Sequence, residues 1–306
     1  MILIGEIMPH SAYCGRFAPS PTGPMHFGSL VAAVGSYLEA RTRAGTWFVR
    51  MEDVDRPRVM RGAADVNLRT LEDYGIKWDG EILYQSRRDD AYAAALERLE
   101  GIHALFPCAC TRREIADSVL SLKGEPVYPG TCRGGLAPGR PMRTTRVRVD
   151  DLEIAFDDAV QGLFKQRLAV EVGDFVARRA DGLFAYQLAV VMDDAEQGIT
   201  DVVRGADLLA STPRQILLQR LLGVPTPRYL HLPVALNAAG EKLGKQTLAR
   251  PLEVGEAPAQ LGNALRFLGQ NPPADLAAGP VDELWTWALA NWSADAIPRL
   301  RGVRAP

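Results

Sequence analysis

Residues 16–30 read RFAPSPTGPMHFGSL, and the parsing of that stretch decides the fold. An apolar run over residues 12–17 enters a loop holding three prolines and Gly23, and apolar residues then recur at helical spacing from about Gly28. The order is strand, tight loop, helix N-terminus. Such a helix start is an anion site, because unpaired backbone N–H groups and the positive end of the helix dipole converge on whatever occupies the loop. His26 and Ser29 stand beside it as polar donors. Pro, Gly and Ser are also what any turn uses, so the loop alone leaves an ordinary βα turn open.

Outward from the loop, Leu30, Val31, Val34, Tyr37 and Leu38 give residues 29–42 one apolar helical face, and residues 46–51, TWFVRM, read as a buried strand. Strand, helix, strand at this length is a βαβ unit, hence a parallel sheet. Glu52, Asp53 and Asp55 follow the second strand, at the end where open parallel sheets bind ligands. Helices are expected over residues 65–74 and 90–103. A strand is expected over 174–178, a turn at Asp181-Gly182, and a helix or buried strand over 185–193. Residues 199–204 read as a strand that delivers Arg204 to the same crevice. Ser211 reads as the N-cap of a helix that stops at Leu222 before Gly223. Residues 261–268 and 281–292 read as further helices, and Arg299, Arg301 and Arg304 as a basic tail.

The 306 residues can form one large or two modest domains, with 47% apolar content for a core. No apolar run reaches the roughly 20 residues that span a bilayer, and residues 1–8 are too short and too poor in positive charge for a signal peptide. A cytoplasmic protein without a membrane partner is therefore expected. With 35 basic and 37 acidic residues, no global positive field marks a nucleic-acid binder, although a local patch remains open. Arg133, Arg140, Arg143, Arg146 and Arg148 are one such run, readable as a solvated face or as phosphate contacts. Lysine is scarce. Lys242 and Lys245, two of only five, share one short polar loop.

Three of the four cysteines, Cys108, Cys110 and Cys132, fall in one segment. Thiolates one residue apart can chelate one ion and a third can close over it, but buried structural cysteines are common too. Tyr128 is the nearest candidate for a fourth ligand.

RFAPSPTG followed by HFGS at 26–29 resembles the signature of the glutamyl and glutaminyl class I aminoacyl-tRNA synthetases, with HFGS in the place of their HIGH tetrapeptide. Residues 173–209, ending in VVRGADLL, are similar to a second family stretch, and Lys242-Leu-Gly-Lys-Gln246 occupies the place of the KMSKS signature. The resemblance implies an α/β fold: a class I synthetase Rossmann-like catalytic domain with a zinc-bearing insertion and a small helical C-terminal subdomain. It divides the chain into residues 1–107 and 151–222 as two halves of the nucleotide-binding domain, 108–150 as the insertion, and 223–306 as the KMSKS-like loop with the helical piece, without an anticodon-binding domain.

By the same resemblance, Arg16, Phe17, Ala18, Pro19, Ser20, Glu52, Tyr186 and Arg204 bind glutamate. Arg16 and Arg204 would take its γ-carboxylate, Glu52 its α-ammonium, and Tyr186 would close the pocket. His26, Gly28, Lys242 and Lys245 would bind ATP with its Mg²⁺, and His26, Ser29 and Lys245 would assist the chemistry. Ser29, Gly244 and Gln246 depart from the signatures, and the last two would weaken ATP binding or loop closure. C-x-C followed by Y-x-x-x-C matches the zinc insertion of the short glutamyl-queuosine branch of the family, which implies a structural Zn²⁺ on Cys108, Cys110, Tyr128 and Cys132. That branch implies ATP, L-glutamate and queuosine-containing tRNA(Asp) as partners of a monomer. A truncated synthetase charging a tRNA 3′ end and a catalytically silent RNA-binding paralogue are the alternatives.

Overall fold

The computed structural model describes residues 12–116, 127–244, 247 and 249–306. The expectations for residues 1–8, Lys245 and Gln246 lie outside those residues. In chain order the elements are β1 (Cys14–Phe17), α1 (Phe27–Arg41), β2 (Thr46–Met51), α2 (Ala63–Asp73), β3 (Leu83–Tyr84), α3 (Asp89–Gly101), β4 (Leu105–Cys108), α4 (Arg112–Ala116) and β5 (Thr144–Val147). There follow β6 (Glu153–Asp158), β7 (Gly162–Arg167), α5 (Leu168–Glu171), β8 (Phe175–Arg178), α6 (Tyr186–Glu196), β9 (Asp201–Gly205), α7 (Thr212–Leu222), β10 (Arg228–Leu232), β11 (Val234–Leu236), α8 (Ala257–Phe267), α9 (Val281–Asn291) and β12 (Gly302–Arg304).

Two parallel sets build the central sheet. β1, β2 and β3 pair in that order, and β9 pairs with β10 from Asp201↔Arg228 to Gly205↔Leu232. They meet along β1 and β9, where Thr200 N donates to Cys14 O at 2.9 Å and Cys14 N to Thr200 Oγ1 at 2.9 Å. The spatial order β3-β2-β1-β9-β10 reverses direction between β1 and β9, and open α/β sheets bind their ligands at such a switch point. β10 also touches β6 in parallel at Tyr229↔Asp158, and β6 turns into the antiparallel β7.

α1 is buried on more than the one face its periodicity suggested. Leu30, Val31, Val34 and Leu38 pack on the sheet side, while Leu261, Leu265, Leu284 and Trp285 from α8 and α9 share the same core cluster. Each such side chain contributes on the order of 1.5–3 kcal/mol. Contact with the sheet is close enough that a Cβ on Gly35 would lie 2.6 Å from Leu232 Cδ1.

Two sequence expectations need correction, and one open alternative closes. Ser211 makes no side-chain cap, since a 3₁₀ turn, Ala206–Ser211, runs directly into α7. Of the helix and the buried strand left open for residues 185–193, the helix is found: α6 begins at Tyr186, with Ala185 as its extended N-cap residue. The basic tail is structured: Gly302–Arg304 adds as β12 to β11, with registers Val234↔Gly302 and Leu236↔Arg304. Among the described residues, no helix is long and apolar enough to cross a membrane.

Candidate active site and metal centre

The carboxyl ends of β1, β2, β9 and β10 open into one cleft of about 830 Å³, which the start of α1, Val234 and Ala235 of β11, and Lys242, Leu243, Gly244 and Thr247 also line. Arg16, Phe17, Ala18, Pro19, Ser20, His26, Gly28, Ser29, Glu52, Tyr186, Arg204 and Lys242 all line it. Residues far apart in the chain converge there because each follows or ends a parallel strand, or opens the helix after it. His26 is the N-cap residue of α1, in extended conformation, and its carbonyl accepts the first helical bonds from Ser29 N and Leu30 N. Lys242 Nζ reaches Asp207 Oδ2 at 2.6 Å across the rim.

At one end of the cleft a charged network ties β1, β2 and α6 together. Arg16 Nε donates to Asp194 Oδ1 at 3.0 Å and Arg50 Nη2 to the same oxygen at 2.7 Å. Burial opposes the Asp194 carboxylate, but the two guanidiniums outweigh it and hold its pKa below the ordinary value. Glu52 has no such surplus. Burial raises its pKa despite Arg50, 3.5 Å away, and Arg16. A buried carboxylate of this kind gains from an ammonium ligand, which restores the charge partner it lacks. Burial and the Glu52 charge push the Tyr186 hydroxyl up to about 12, so it stays a neutral donor.

Arg204 leaves the end of β9 into a second, different environment. Its Nε donates to His231 Nε2 at 3.1 Å, and its Nη2 donates to Thr212 Oγ1 at 2.9 Å and Gln215 Oε1 at 2.7 Å. The remaining nitrogen, Nη1, is buried with no protein partner among the described residues. A buried donor left unmade costs about 1–3 kcal/mol, more for a charged group, unless a ligand completes it. His231 is fully buried, and its Nδ1–H donates to Asp158 Oδ2 at 2.6 Å. Burial, reinforced by the nearby Arg204 charge and opposed by the Asp158 bond, lowers the imidazole pKa to about 4.

The cysteine cluster lies apart, where β4, β5 and β8 form a small antiparallel sheet. Cys108, Cys110 and Cys132 are buried, and their sulfurs all lie within 4.8 Å of one another. Cys110 and Cys132 are 3.7 Å apart, close to the ~3.8 Å that two thiolates take on a tetrahedral ion with bonds of about 2.3 Å. Tyr128 Oη faces the set, 3.4 Å from Cys108 Sγ and 4.0 Å from Cys110 Sγ, and accepts the Cys132 backbone N–H at 2.9 Å. Gly173, at φ 72°, lets the Tyr128 strap bridge to β8, since a Cβ there would fall 2.7 Å from Tyr128 O. Burial opposes ionisation of Cys108, yet bonds with Tyr128 and Arg146 bring it down to about 7, whereas burial and the neighbouring thiols push Cys110 up to about 11. Three acceptors that cannot ionise together cheaply are a donor set for a cation, which would deprotonate them all. The triad can thus hold a metal ion.

The model of the tRNA synthetases class I (E and Q), catalytic domain, matches residues 14–275. The glutamyl-Q tRNA(Asp) synthetase of Dechloromonas aromatica is 63% identical over 97% of this chain and 99% of its own length. This chain belongs to the glutamyl-Q tRNA(Asp) synthetase family. The homologue of that name from Aromatoleum aromaticum is 58% identical over 96% of this chain and 93% of its own. A glutamate tRNA ligase structure from Elizabethkingia meningosepticum superposes with a TM-score of 0.78 at 24% identity, over 97% of this chain and 67% of that one, which bears out the class I α/β fold.

Four of the five arginines in the run 133–148 make contacts within the protein. Arg133 pairs with Asp174 at 3.0 Å, Arg140 with Glu114 at 2.8 Å, Arg146 lies over the Tyr128 ring at 4.0 Å and Arg148 over Phe106 at 5.0 Å. Sequence reasoning did not assign roles to Arg50, Asp194, Asp158, Thr212, Gln215 and His231. Their signals were present: an arginine inside the apolar strand TWFVRM and two aspartates inside the apolar run of α6 must be paired if buried.

Proposed function

We propose that this chain activates L-glutamate with ATP and transfers the glutamyl group to the queuosine base in the anticodon loop of tRNA(Asp). The observation that carries the reading is identity of 63% across nearly the whole length of a glutamyl-Q tRNA(Asp) synthetase, together with a cleft at the switch point whose free guanidinium nitrogen suits a carboxylate.

In this reading Arg204 Nη1 and Arg16 receive the γ-carboxylate, Glu52 receives the α-ammonium, Tyr186 donates its hydroxyl, and the backbone of residues 17–20 walls the pocket. A guanidinium fork reads a carboxylate bidentately. So held, the glutamate α-carboxylate attacks the α-phosphorus of ATP. The α1 N-terminus at His26, Gly28 and Ser29 faces the phosphates, and Lys242 and Lys245 neutralise charge as pyrophosphate leaves. ATP arrives with Mg²⁺. The protein contributes alignment and charge, with no covalent intermediate on a side chain. A hydroxyl of queuosine then attacks the glutamyl carbonyl and AMP departs.

Zinc fits the Cys108, Cys110 and Cys132 thiolates with the Tyr128 phenol as fourth ligand. A closed set of four protein ligands supplies folding energy to the insertion and leaves no open position for substrate. A cytoplasmic monomer is the form in which we expect the enzyme to act.

The test is incorporation of labelled glutamate into tRNA(Asp) with and without queuosine, beside tRNA(Glu). Label confined to queuosine-bearing tRNA(Asp) supports the reading, label on tRNA(Glu) supports 3′-end charging, and no label on any RNA supports a silent paralogue.

A further inference from the structure

Two buried guanidiniums face the glutamate end of the cleft, and the protein compensates them differently. Arg16 already has a carboxylate, Asp194, at 3.0 Å. Arg204, only 6% exposed, has none in ion-pair contact among the described residues; its three acceptors are an imidazole nitrogen, a hydroxyl and an amide oxygen.

Each acceptor is fixed in its neutral role. His231 donates its Nδ1–H to Asp158, so Nε2 carries the lone pair that accepts from Arg204. Gln215 Nε2 donates to Gln187 Oε1 at 2.9 Å, which turns the amide oxygen toward the guanidinium. Thr212 Oγ1 has Leu208 O at 3.4 Å and His231 Nε2 at 3.3 Å as acceptors for its hydrogen, and with either it presents a lone pair to Arg204. Asp158 is the nearest carboxylate in this chain of bonds, but a whole imidazole ring separates it from the cation, and it also accepts the backbone N–H groups of Val160, Gln161 and His231.

A cation held by neutral acceptors in a buried site keeps its charge for the ligand. We propose that Gln215, Thr212 and His231 form a neutral cage that sets the preference for glutamate over glutamine. They are positioning residues: they aim Arg204 Nη1 at the γ-substituent and leave its charge to be neutralised by the substrate alone. A γ-carboxylate completes the pair, whereas the amide of glutamine leaves the cation uncompensated and can turn a donor toward a donor. The inference rests on the reading of Arg204 as the γ-carboxylate receiver.

The test is exchange of labelled pyrophosphate into ATP, driven by glutamate or by glutamine, with queuosine-bearing tRNA(Asp) present. Gln215→Glu puts a carboxylate on Arg204 and should lower the glutamate-to-glutamine ratio of kcat/KM at least about tenfold, chiefly through a higher glutamate KM. Gln215→Met removes the acceptor without adding charge and should keep that ratio within about threefold of wild type. An unchanged ratio in Gln215→Glu, or an equal collapse in Gln215→Met, overturns the cage. If Gln215→Glu does not fold by circular dichroism, Thr212→Asp brings the same charge to the same nitrogen and carries the same prediction. Arg204→Met separates the two levels: loss of glutamate activation there with an unchanged ratio in Gln215→Glu refutes the cage alone, while full activity in Arg204→Met refutes the pocket.

Discussion

Arg16 and Asp194 are 178 residues apart in sequence and joined at 3.0 Å, one at the end of β1 and the other inside α6. The contact ties the strand that leads into the loop before α1 to the helix that begins with Tyr186, and so joins two walls of the cleft.

Removing that carboxylate takes from Arg16 its one ion-pair partner among the described residues, and from Arg50 the nearest of three, Glu52 and Asp193 remaining at 3.5 and 3.9 Å. Asp194→Asn should destabilise the fold by about 3–5 kcal/mol, the usual cost of breaking a buried pair. Urea unfolding reads this directly. A loss under about 1 kcal/mol would mean that the network relaxes around the change.

The imidazole of His231 gives a pH signature. Burial lowers its pKa from the ordinary 6.5 to about 4 on folding, so the unfolded chain binds a proton first as pH drops. Stability from this group is therefore complete above about pH 6.5 and is lost as pH falls toward about 4, at most about 3 kcal/mol in all. His231→Gln should flatten the melting temperature against pH between those limits. A wild-type slope retained in the variant assigns the titration to other groups.

Metal content follows from the thiol cluster. Freshly purified protein should carry one zinc per chain, and Cys132→Ser or a chelator should release it and lower the melting temperature, since structural sites bind with folding. Metal-free protein whose melt ignores chelator removes the role given to Cys108, Cys110, Tyr128 and Cys132.

The last strand makes a local prediction. A Cβ on Gly302 would meet Leu236 Cδ1 at 2.9 Å, so Gly302→Val should force β12 off β11 at a cost of about 1–3 kcal/mol. Val234 and Ala235 on β11 line the cleft, so the KM for ATP should rise as well. An unchanged KM would show that β12 only covers the edge.

What the sequence showed and what it hid have physical reasons. The βαβ unit was legible because its apolar residues keep one period and its loop has few conformations open to it. The strand ends were legible too, and Arg16, Glu52, Tyr186 and Arg204 do converge on one cleft. The partners of Arg204 were not. Gln215 and His231 look like ordinary polar residues until the packing of α7 against β9 and β10 places them within 3.1 Å of one guanidinium. The three residues of β12 are too few to carry a period, and the engaged state of Arg133 and Arg146 depends on Asp174 and Tyr128, which composition cannot locate.

The most direct measurement is the position of the transferred glutamate. Queuosine-bearing tRNA(Asp), incubated with the protein, ATP and labelled glutamate, would be digested with nuclease and its fragments resolved by mass. The account predicts one added glutamyl mass on the anticodon-loop fragment that holds queuosine and none on the 3′-terminal adenosine. Label on the terminal adenosine, with an unmodified anticodon fragment, would contradict it.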